Sequence, residues 1–159
     1  MAKVLDTTAY LDTVCELLRQ GQQHVAIPVA GGSMVPFLYS GDMAYLDLPD
    51  SPLKKGDIVL YTRLSGRYIL HRIKKVNKDG SYVMVGDSQQ ELELIPRRDM
   101  IHARVTSARH CGKLIYPGQP RWWFYQHIWL MLVPVRHRLM RLSGILRKKK
   151  QKEHATRER

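Results

Sequence analysis

Short apolar runs divided by turn residues dominate the chain from residue 24 to residue 116. Runs rich in β-branched and aromatic residues are interrupted by Gly, Pro, Asp or Asn about every eight to twelve positions, a pattern typical of short strands joined by tight turns. We predict strands at 24–30, 43–48, 57–62, 67–76, 81–86, 101–108 and 112–116. The pattern therefore predicts a mainly β (α+β) fold, built as a compact, mainly antiparallel β-domain over residues 24–116.

The segments on either side of this β-domain differ from it in composition. Residues 1–23 are predicted to form a short N-terminal helix, because apolar residues recur there at helical spacing until Gly21. Acidic residues interrupt the apolar positions, so we expect neither a secretory signal nor a membrane anchor in this segment. The residues PGQP (117–120) end the β-domain, and residues 117–159 are predicted to form an aromatic and basic tail.

Charge is distributed unevenly along the chain. The 159 residues carry a formal net charge of +12, of which +2 belongs to residues 1–112 and +10 to residues 113–159. The basicity is a property of the tail, and because no recognition module accompanies it we do not expect nucleic acid as a partner. Two cysteines can form neither a disulfide framework nor a four-thiolate zinc site, and we predict no metal and no cofactor.

The tail combines aromatic residues with basic ones. Its apolar run, residues 122–135, is shorter than the roughly twenty residues of a spanning helix. Tryptophans and cations are typical of lipid headgroup contact, so we predict peripheral binding to an anionic surface, on the cytoplasmic face of a bacterial membrane. The predicted contact residues are Trp122, Trp123, Trp129, Arg136 and Arg138. The alternative is that residues 122–133 pack on the β-domain as a closing helix.

A serine follows the first predicted strand, in the sequence Gly31-Gly32-Ser33-Met34-Val35-Pro36. Glycines permit positive φ and close approach of the backbone, and Pro36 stiffens the exit, so the Ser33 hydroxyl is presented on a constrained loop. Such a loop suits a nucleophile, and it is also found in ordinary turns. A serine nucleophile requires a neighbouring base, usually His or Lys.

His71 is the best candidate for that base among the seven histidines. It shares a predicted strand face with Ile69 and Ile73, where partial burial favours the neutral imidazole that a general base requires. The alternative is a hydrogen-bonded core histidine. Asp87 ends a later predicted strand, ahead of Glu93, and a carboxylate at this place could fix the imidazole tautomer. Asp87 could equally belong to a turn.

Four sequence blocks follow one another in order: GGSMVPFLYSGD (31–42), KKGDIVLY (54–61), YILHRI (68–73) and VMVGD (83–87). Together they resemble the signal peptidase I superfamily of S24/S26-type serine peptidases, which also includes self-cleaving repressors. The His-Arg context is similar to that of the endoplasmic-reticulum, archaeal and sporulating-bacterial type. The resemblance implies a signal-peptidase/repressor-protease β-domain, here with a short N-terminal helix and a C-terminal amphipathic helical segment.

The resemblance also implies roles for individual residues. Ser33 would be the nucleophile and His71 the general base, with Asp87 as the orienting acid and Glu93 as the alternative acid. Backbone groups of Gly32 and Ser33 would hold the oxyanion, and the substrate-groove loop would contain Gly31, Met34 and Pro36. Gly31 stands where the family often has a serine that donates to the oxyanion, so an oxyanion hole here would depend more heavily on backbone N–H groups.

These observations predict a serine endopeptidase of signal-peptidase type, which cleaves an exported or membrane-proximal peptide precursor through an acyl-enzyme. Its expected partners are a peptide or preprotein substrate and an anionic membrane surface. The alternative function is that of a catalytically silent, membrane-associated adaptor, which binds peptides and retains the peptidase fold. A third possibility is a protease that cleaves its own chain or a cytoplasmic repressor.

Overall fold

The computed structural model describes residues 7–142 and contains a single antiparallel sheet. Its elements are α1 (Thr7–Arg19), β1 (Val25–Pro28), β2 (Met43–Asp47), β3 (Ile58–Thr62), β4 (Tyr68–Val76), β5 (Tyr82–Val85), β6 (Glu93–Ile95), β7 (Ile101–His110), β8 (Lys113–Ile115) and α2 (Pro120–Phe124). The mainly β fold class is therefore confirmed, and each predicted strand segment overlaps an observed strand. The short strand β6 was not predicted.

The strands do not pair in chain order. Their order across the sheet is β1-β2-β7-β3-β4-β5-β6, and β8 pairs with β7. Strand β3 lies between β4 and β7, with apolar side chains packed on both of its faces, and Ile58–Tyr61 are consequently all buried. Strand β1 pairs with β2 alone, so one edge of β1 is open within the part of the chain that the structure describes.

Two hydrophobic clusters cover opposite faces of β3. Leu60 belongs to the larger cluster, which also contains the buried face of α1 and the loop residues Met34 and Phe37. Tyr61 points the other way, into a second cluster with Ile73. Because side chains alternate along strands, the two neighbouring strands β3 and β4 present Tyr61 and His71 to each other on this second face.

The C-terminal segment that was predicted as a tail continues the domain core over part of its length. Helix α2 is followed by a π-helical turn at Tyr125–Trp129, and residues 136–142 are again helical. The Trp122 ring packs edge-on against Phe37 with centroids 5.2 Å apart. Among residues 7–142, none of the helices has the length and apolarity required to cross a membrane. The basic stretch beyond residue 142 lies outside the described residues.

Candidate active site

Ser33 lies on the loop that joins β1 to β2, at the rim of a cleft of about 790 Å³. Two backbone hydrogen bonds close the base of this loop. The Val29 N–H donates to the Asp42 carbonyl at 2.7 Å, and the Gly41 N–H donates to the Val29 carbonyl at 2.9 Å. Gly31 has φ +75°, a conformation that favours glycine, and it lines the cleft with Gly32, Ser33 and Met34. Gly31 and Met34, two of the residues predicted for the substrate-groove loop, thus line this cleft, and their role in substrate binding stays a prediction.

Pro36 does not lie in the groove, contrary to its predicted place. Its carbonyl accepts a hydrogen bond from Arg121 Nη2 at 3.4 Å, and the Phe37 carbonyl accepts one from the same nitrogen at 2.7 Å. The loop therefore turns inward after Met34 and packs against the C-terminal segment, so that Pro36 supports the loop from behind.

The backbone of Ser33 is held by the loop that follows β5. The Ser33 carbonyl accepts hydrogen bonds from Ser88 N at 2.9 Å and Ser88 Oγ at 3.1 Å. Ser88 Oγ also donates to the Gly32 carbonyl at 2.9 Å. Within residues 7–142, no acceptor takes up the Ser33 N–H, which leaves this group available to a ligand.

His71 and the loop that holds Ser33 adjoin the same end of the sheet ladder. The β4–β5 ladder ends at the pair Arg72–Val85, so that His71 on β4 and Gly86 after β5 both lie next to this last pair. A Cβ built on Gly86 would lie 2.6 Å from the Ser33 carbonyl oxygen. The serine loop, through its contact with Gly86, and His71 therefore lie at the same end of the β4–β5 ladder.

The His71 imidazole leads into a chain of hydrogen bonds. Its Nδ1 contacts the Tyr61 hydroxyl at 3.2 Å, and that hydroxyl donates to Glu93 Oε2 at 2.8 Å. Arg63 binds both Glu93 oxygens, through Nε and Nη2, at 2.7 Å each. A hydroxyl has one proton and a carboxylate only accepts, so the Tyr61 oxygen must accept from His71. The hydrogen-bond network therefore assigns the proton of neutral His71 to Nδ1.

The other ring nitrogen, His71 Nε2, makes no hydrogen bond within residues 7–142. Every side-chain nitrogen or oxygen that is fully buried in this part of the chain does have a hydrogen-bond partner, so Nε2 cannot be fully buried. Nε2 therefore reaches the surface although His71 as a whole is only 3% exposed. The Ser33 hydroxyl is not hydrogen-bonded to it within the described residues. Catalytic hydrogen bonds are often made only once a substrate is bound.

Burial and the Glu93 charge determine the protonation states of the hydrogen-bonded side chains His71, Tyr61 and Glu93. Desolvation lowers the pKa of His71 to about 4, against the opposing effect of Glu93, so the imidazole is neutral at pH 7. Burial and the Glu93 carboxylate raise the pKa of Tyr61, which stays a phenol. Partial burial alone would raise the pKa of Glu93, but hydrogen bonds from Arg63 and Tyr61 outweigh it and hold the pKa low.

Asp87 occupies a different position from the one predicted for an orienting acid. Its carboxylate binds Arg72 through two hydrogen bonds, of 3.0 Å from Nε and 2.8 Å from Nη2, and both side chains are fully buried. Arg72 also donates to the Gly56 carbonyl at 2.9 Å. Within the described residues no hydrogen bond joins Asp87 to His71. Of the two predicted acids, the structure connects Glu93 to the imidazole.

Three of the predicted membrane contacts are buried against the domain, so for them the sequence-based interpretation is corrected. Trp122 is 3%, Trp129 8% and Arg136 0% exposed, because the segment packs on the serine loop and on the loop after β5. Trp123 and Arg138 remain exposed. The alternative hypothesis, that the C-terminal segment packs on the β-domain, agrees with the burial of these three side chains.

Sequence reasoning missed several residues of the site. Tyr61 and Arg63 carry no motif of their own, although Tyr61 lies on the same strand face as its partner across the sheet. Trp129 and Arg136 follow Trp122 at intervals of seven residues, a spacing that puts side chains on one side of a helical segment. That periodicity was the available signal for an inward face. Between residues 7 and 142, no group of His, Cys, Asp or Glu is arranged as a metal site.

Comparison with known proteins agrees with the fold. The Peptidase S24-like family model matches residues 2–106, which include Ser33, His71, Asp87 and Glu93. The chain belongs to the Peptidase S24-like family. The resemblance to the signal peptidase I superfamily is thereby confirmed.

A relative supports the same superfamily. The chain is 33% identical over 70 residues to the signal peptidase complex catalytic subunit sec11 of Dictyostelium discoideum. The matched region is 42% of this chain and 38% of that protein, so the chain spans well under half of the length of this relative. No solved structure matches the chain significantly.

Proposed function

We propose that this protein is a serine endopeptidase of signal-peptidase type, with Ser33 as nucleophile and His71 as general base. The observation that carries the proposal is the assigned tautomer. The chain from Arg63 through Glu93 and Tyr61 puts the proton of His71 on Nδ1, which leaves the Nε2 lone pair free to accept a proton. A histidine with a purely structural role does not require an Nε2 that lacks a hydrogen-bond partner.

Catalysis proceeds through an acyl-enzyme. Ser33 Oγ attacks the carbonyl carbon of the scissile peptide bond while its proton passes to His71 Nε2. Collapse of the tetrahedral intermediate breaks the C–N bond, and His71 gives the proton to the leaving amine. Water then attacks the ester by the same route and frees Ser33. The Glu93 charge stabilises the imidazolium through the Tyr61 hydroxyl, and Glu93 is the acid of the site.

Backbone groups stabilise the oxyanion. The Ser33 N–H has no acceptor within residues 7–142, and Gly32 precedes it on the exposed turn. Donors that are fixed before the reaction stabilise developing charge strongly, since no reorganisation is needed at the moment of attack. The fixation comes from Ser88, which holds the carbonyls of both residues.

The substrate is an extended peptide that enters the cleft beside Ser33. One wall is the open edge of β1, and the opposite wall is the start of β4, where Tyr68–Leu70 pair with β3 but not with β5. Two free strand edges can hydrogen-bond the backbone of a peptide between them. Side chains of Val29, Leu60 and Leu70 make the cleft floor mainly apolar, which suits an uncharged segment such as that of an exported precursor.

The test compares the wild type with Ser33→Ala and His71→Ala on a library of internally quenched peptides that are rich in alanine around the scissile bond. Each variant should lose at least about a hundredfold in kcat/KM, because a positioned base contributes roughly a hundred- to ten-thousand-fold. Ser40→Ala and His127→Ala serve as matched controls, since both residues are exposed and lie away from the cleft. Intact-mass measurement of the products locates the cleaved bond and would also reveal self-cleavage.

Equal cleavage by the wild type and Ser33→Ala would contradict the proposal. Peptide binding without turnover, equal in the two proteins, would instead favour an adaptor that retains the peptidase fold. Circular dichroism and melting curves of each variant establish that a loss of activity is not a loss of fold.

We also propose that the C-terminal segment contacts an anionic membrane through an outer face. This outer face contains Trp123 and Met131, which are 52% and 64% exposed, together with Phe124, Ile128 and Val135. Arg138 is exposed nearby, and the chain beyond it is rich in Lys and Arg. Apolar side chains flanked by cations are typical of interfacial contact. The side of the membrane stays a prediction from the sequence.

Vesicle sedimentation tests this contact. The double variant Trp123→Gln/Met131→Gln should bind vesicles of mixed neutral and anionic lipid at least about tenfold more weakly than the wild type, because it removes two inserted side chains. The control Tyr116→Gln replaces a side chain that is 48% exposed outside this face. Unchanged sedimentation of the double variant would remove the outer face from the proposal.

A further inference from the structure

The C-terminal segment reaches the site from behind, at residues 86–89. We propose that Arg136 and Trp129 are positioning residues, which hold the 86–89 loop in place and through it the backbone of Ser33. The catalytic consequence of this inference rests on the proposed peptidase function. Its structural content does not.

Arg136 is buried completely, and its guanidinium binds main-chain carbonyls. Nη1 donates to the Gly86 carbonyl at 2.9 Å and to the Gln89 carbonyl at 3.4 Å. Nε and Nη2 donate to the Trp129 carbonyl at 3.0 and 2.9 Å. Within the described residues no carboxylate pairs with this cation. A buried guanidinium bonded in this way fixes the course of two backbone segments relative to each other.

Trp129 and Gln90 add three more bonds to the same junction. The Trp129 indole Nε1 donates to the Asp87 carbonyl at 2.8 Å. The Gln90 side chain donates back to the carbonyls of Val133 and Pro134 at 3.3 and 3.0 Å. The carbonyls of residues 86, 87 and 89 are thus all bound by the C-terminal segment.

The opposite side of the same loop faces the nucleophile. Ser88 binds the carbonyls of Gly32 and Ser33, and Gly86 leaves no room for a Cβ against the Ser33 carbonyl. The 86–89 loop is therefore a thin layer between the C-terminal segment and the serine loop. A displacement of about 1 Å at a reacting group can lower a rate a hundredfold, so loosening this layer should affect catalysis.

The residues that support this layer from behind lie beyond the part of the chain that matches the family model. The family match ends at residue 106, whereas Trp129 and Arg136 lie beyond it. The segment thus has two distinct faces: the outer face described above, and an inner face formed by Trp122, Trp129, Leu130, Val133 and Arg136. The inner face belongs to the support of the site.

The experiment measures hydrogen exchange and kinetics on the same full-length variants. In Arg136→Met, amides of residues 31–38 and 86–90 should exchange at least about tenfold faster than in the wild type, while those of α1 stay unchanged. With the peptide substrate, kcat should fall about ten- to a hundredfold with KM changed less than about threefold. Arg136→Lys, which keeps one donor head, should recover part of both effects. Arg141→Met is the matched control, because Arg141 is exposed on the same segment.

Wild-type exchange in residues 31–38 together with wild-type kcat in Arg136→Met would overturn the inference. If Arg136→Met does not fold, Trp129→Phe decides, since it removes the donor to the Asp87 carbonyl and keeps an aromatic ring. Faster exchange in residues 86–90 of that variant supports the inference, and unchanged exchange contradicts it. A wild type without peptidase activity would refute the proposed function. The hydrogen-exchange data alone would then support or contradict the positioning role of Arg136 and Trp129.

Discussion

Asp87 and Glu93 lie six residues apart in the chain, and each binds one arginine through two hydrogen bonds. Their surroundings differ. The Asp87–Arg72 pair is 0% exposed on both sides, whereas Glu93 and Arg63 keep 25% and 38% of their side chains exposed. Of the two carboxylates, only that of Glu93 accepts a further hydrogen bond within residues 7–142, from the Tyr61 hydroxyl that meets His71. The comparison teaches that a bidentate arginine pair does not distinguish the two carboxylates, and that the hydrogen bond to Tyr61 is what connects Glu93, the acid of the proposed site, to His71.

Replacing Asp87 tests the structural half of the comparison and should have the largest effect. Asp87→Asn leaves Arg72 buried without its counter-charge, close to a second buried guanidinium at Arg136. Breaking a buried pair typically destabilises a protein by about 3–5 kcal/mol, so thermal unfolding should shift down by about 10–15 °C. Differential scanning calorimetry measures the shift. A melting temperature equal to that of the wild type would mean that the pair is not a main support of the fold.

Replacing Glu93 tests the catalytic half. In Glu93→Gln the charge opposite the imidazolium is lost, and kcat should fall about 10–100-fold, the value of a hydrogen bond to a charged group. The melting temperature should change by only a few degrees, because the pair with Arg63 is partly exposed and screened. Steady-state kinetics and calorimetry on one preparation check both. A variant with full kcat would return the role of acid to Asp87.

The pH profile separates the two carboxylates in a third way. Burial lowers the pKa of His71 to about 4, so the acid limb of kcat/KM should lie near pH 4. At pH 5 the neutral base is then about 30-fold more abundant than for an unshifted imidazole. Glu93 raises the pKa of His71 more than Asp87 does, so Glu93→Gln should move the limb further down than Asp87→Asn. A limb near 6.5 in the wild type would contradict this assignment.

The same shift has a consequence for stability. The unfolded chain binds a proton at His71 below about pH 6.5, while the folded protein resists protonation until about pH 4. Stability should therefore fall as the pH drops through this window and stay unaffected by His71 above it. Urea unfolding at pH 5 and pH 7.5, compared between the wild type and His71→Ala, isolates this contribution.

Removing the intermediate hydroxyl should have the smallest effect. Tyr61→Phe keeps the ring in its cluster and the Glu93 charge in place, but frees the tautomer of His71. The loss of a neutral hydrogen bond predicts a fall in kcat of about two- to tenfold. Tyr82→Phe is the matched control, a buried tyrosine of the same cluster. A fall as large as that of Glu93→Gln would show that Glu93 acts only through this hydroxyl.

The predictable part of the molecule was the part encoded in local pattern. Alternating apolar runs predicted the strands, and four ordered blocks predicted Ser33 and His71. Strand β6 was missed because three residues, Glu93–Ile95, cannot display a periodicity. The choice between the two carboxylates was open because it depends on which of them meets the Tyr61 hydroxyl, a contact between residues 32 positions apart.

The C-terminal segment shows a different limit. The aromatic and basic composition predicted contact with lipid headgroups, but composition does not indicate which side chains face outward and which face the domain. Trp123 faces outward while Trp122 and Trp129 face inward, because the carbonyls of the 86–89 loop and the Phe37 ring supply partners on that side. Such partners come from distant parts of the chain and cannot be read from the segment itself.

The support that Arg136 supplies also sets an order of events during synthesis. A chain emerges from the ribosome with its N-terminal residues first. The loop that carries Ser33 and the strand that carries His71 are outside well before residue 136, and until then the carbonyls of Gly86 and Gln89 lack the Arg136 guanidinium. Until residue 136 has been made, the nascent chain therefore holds the scaffold of the proposed site without the bonds that support its 86–89 loop, and we expect full activity only after Arg136 has docked.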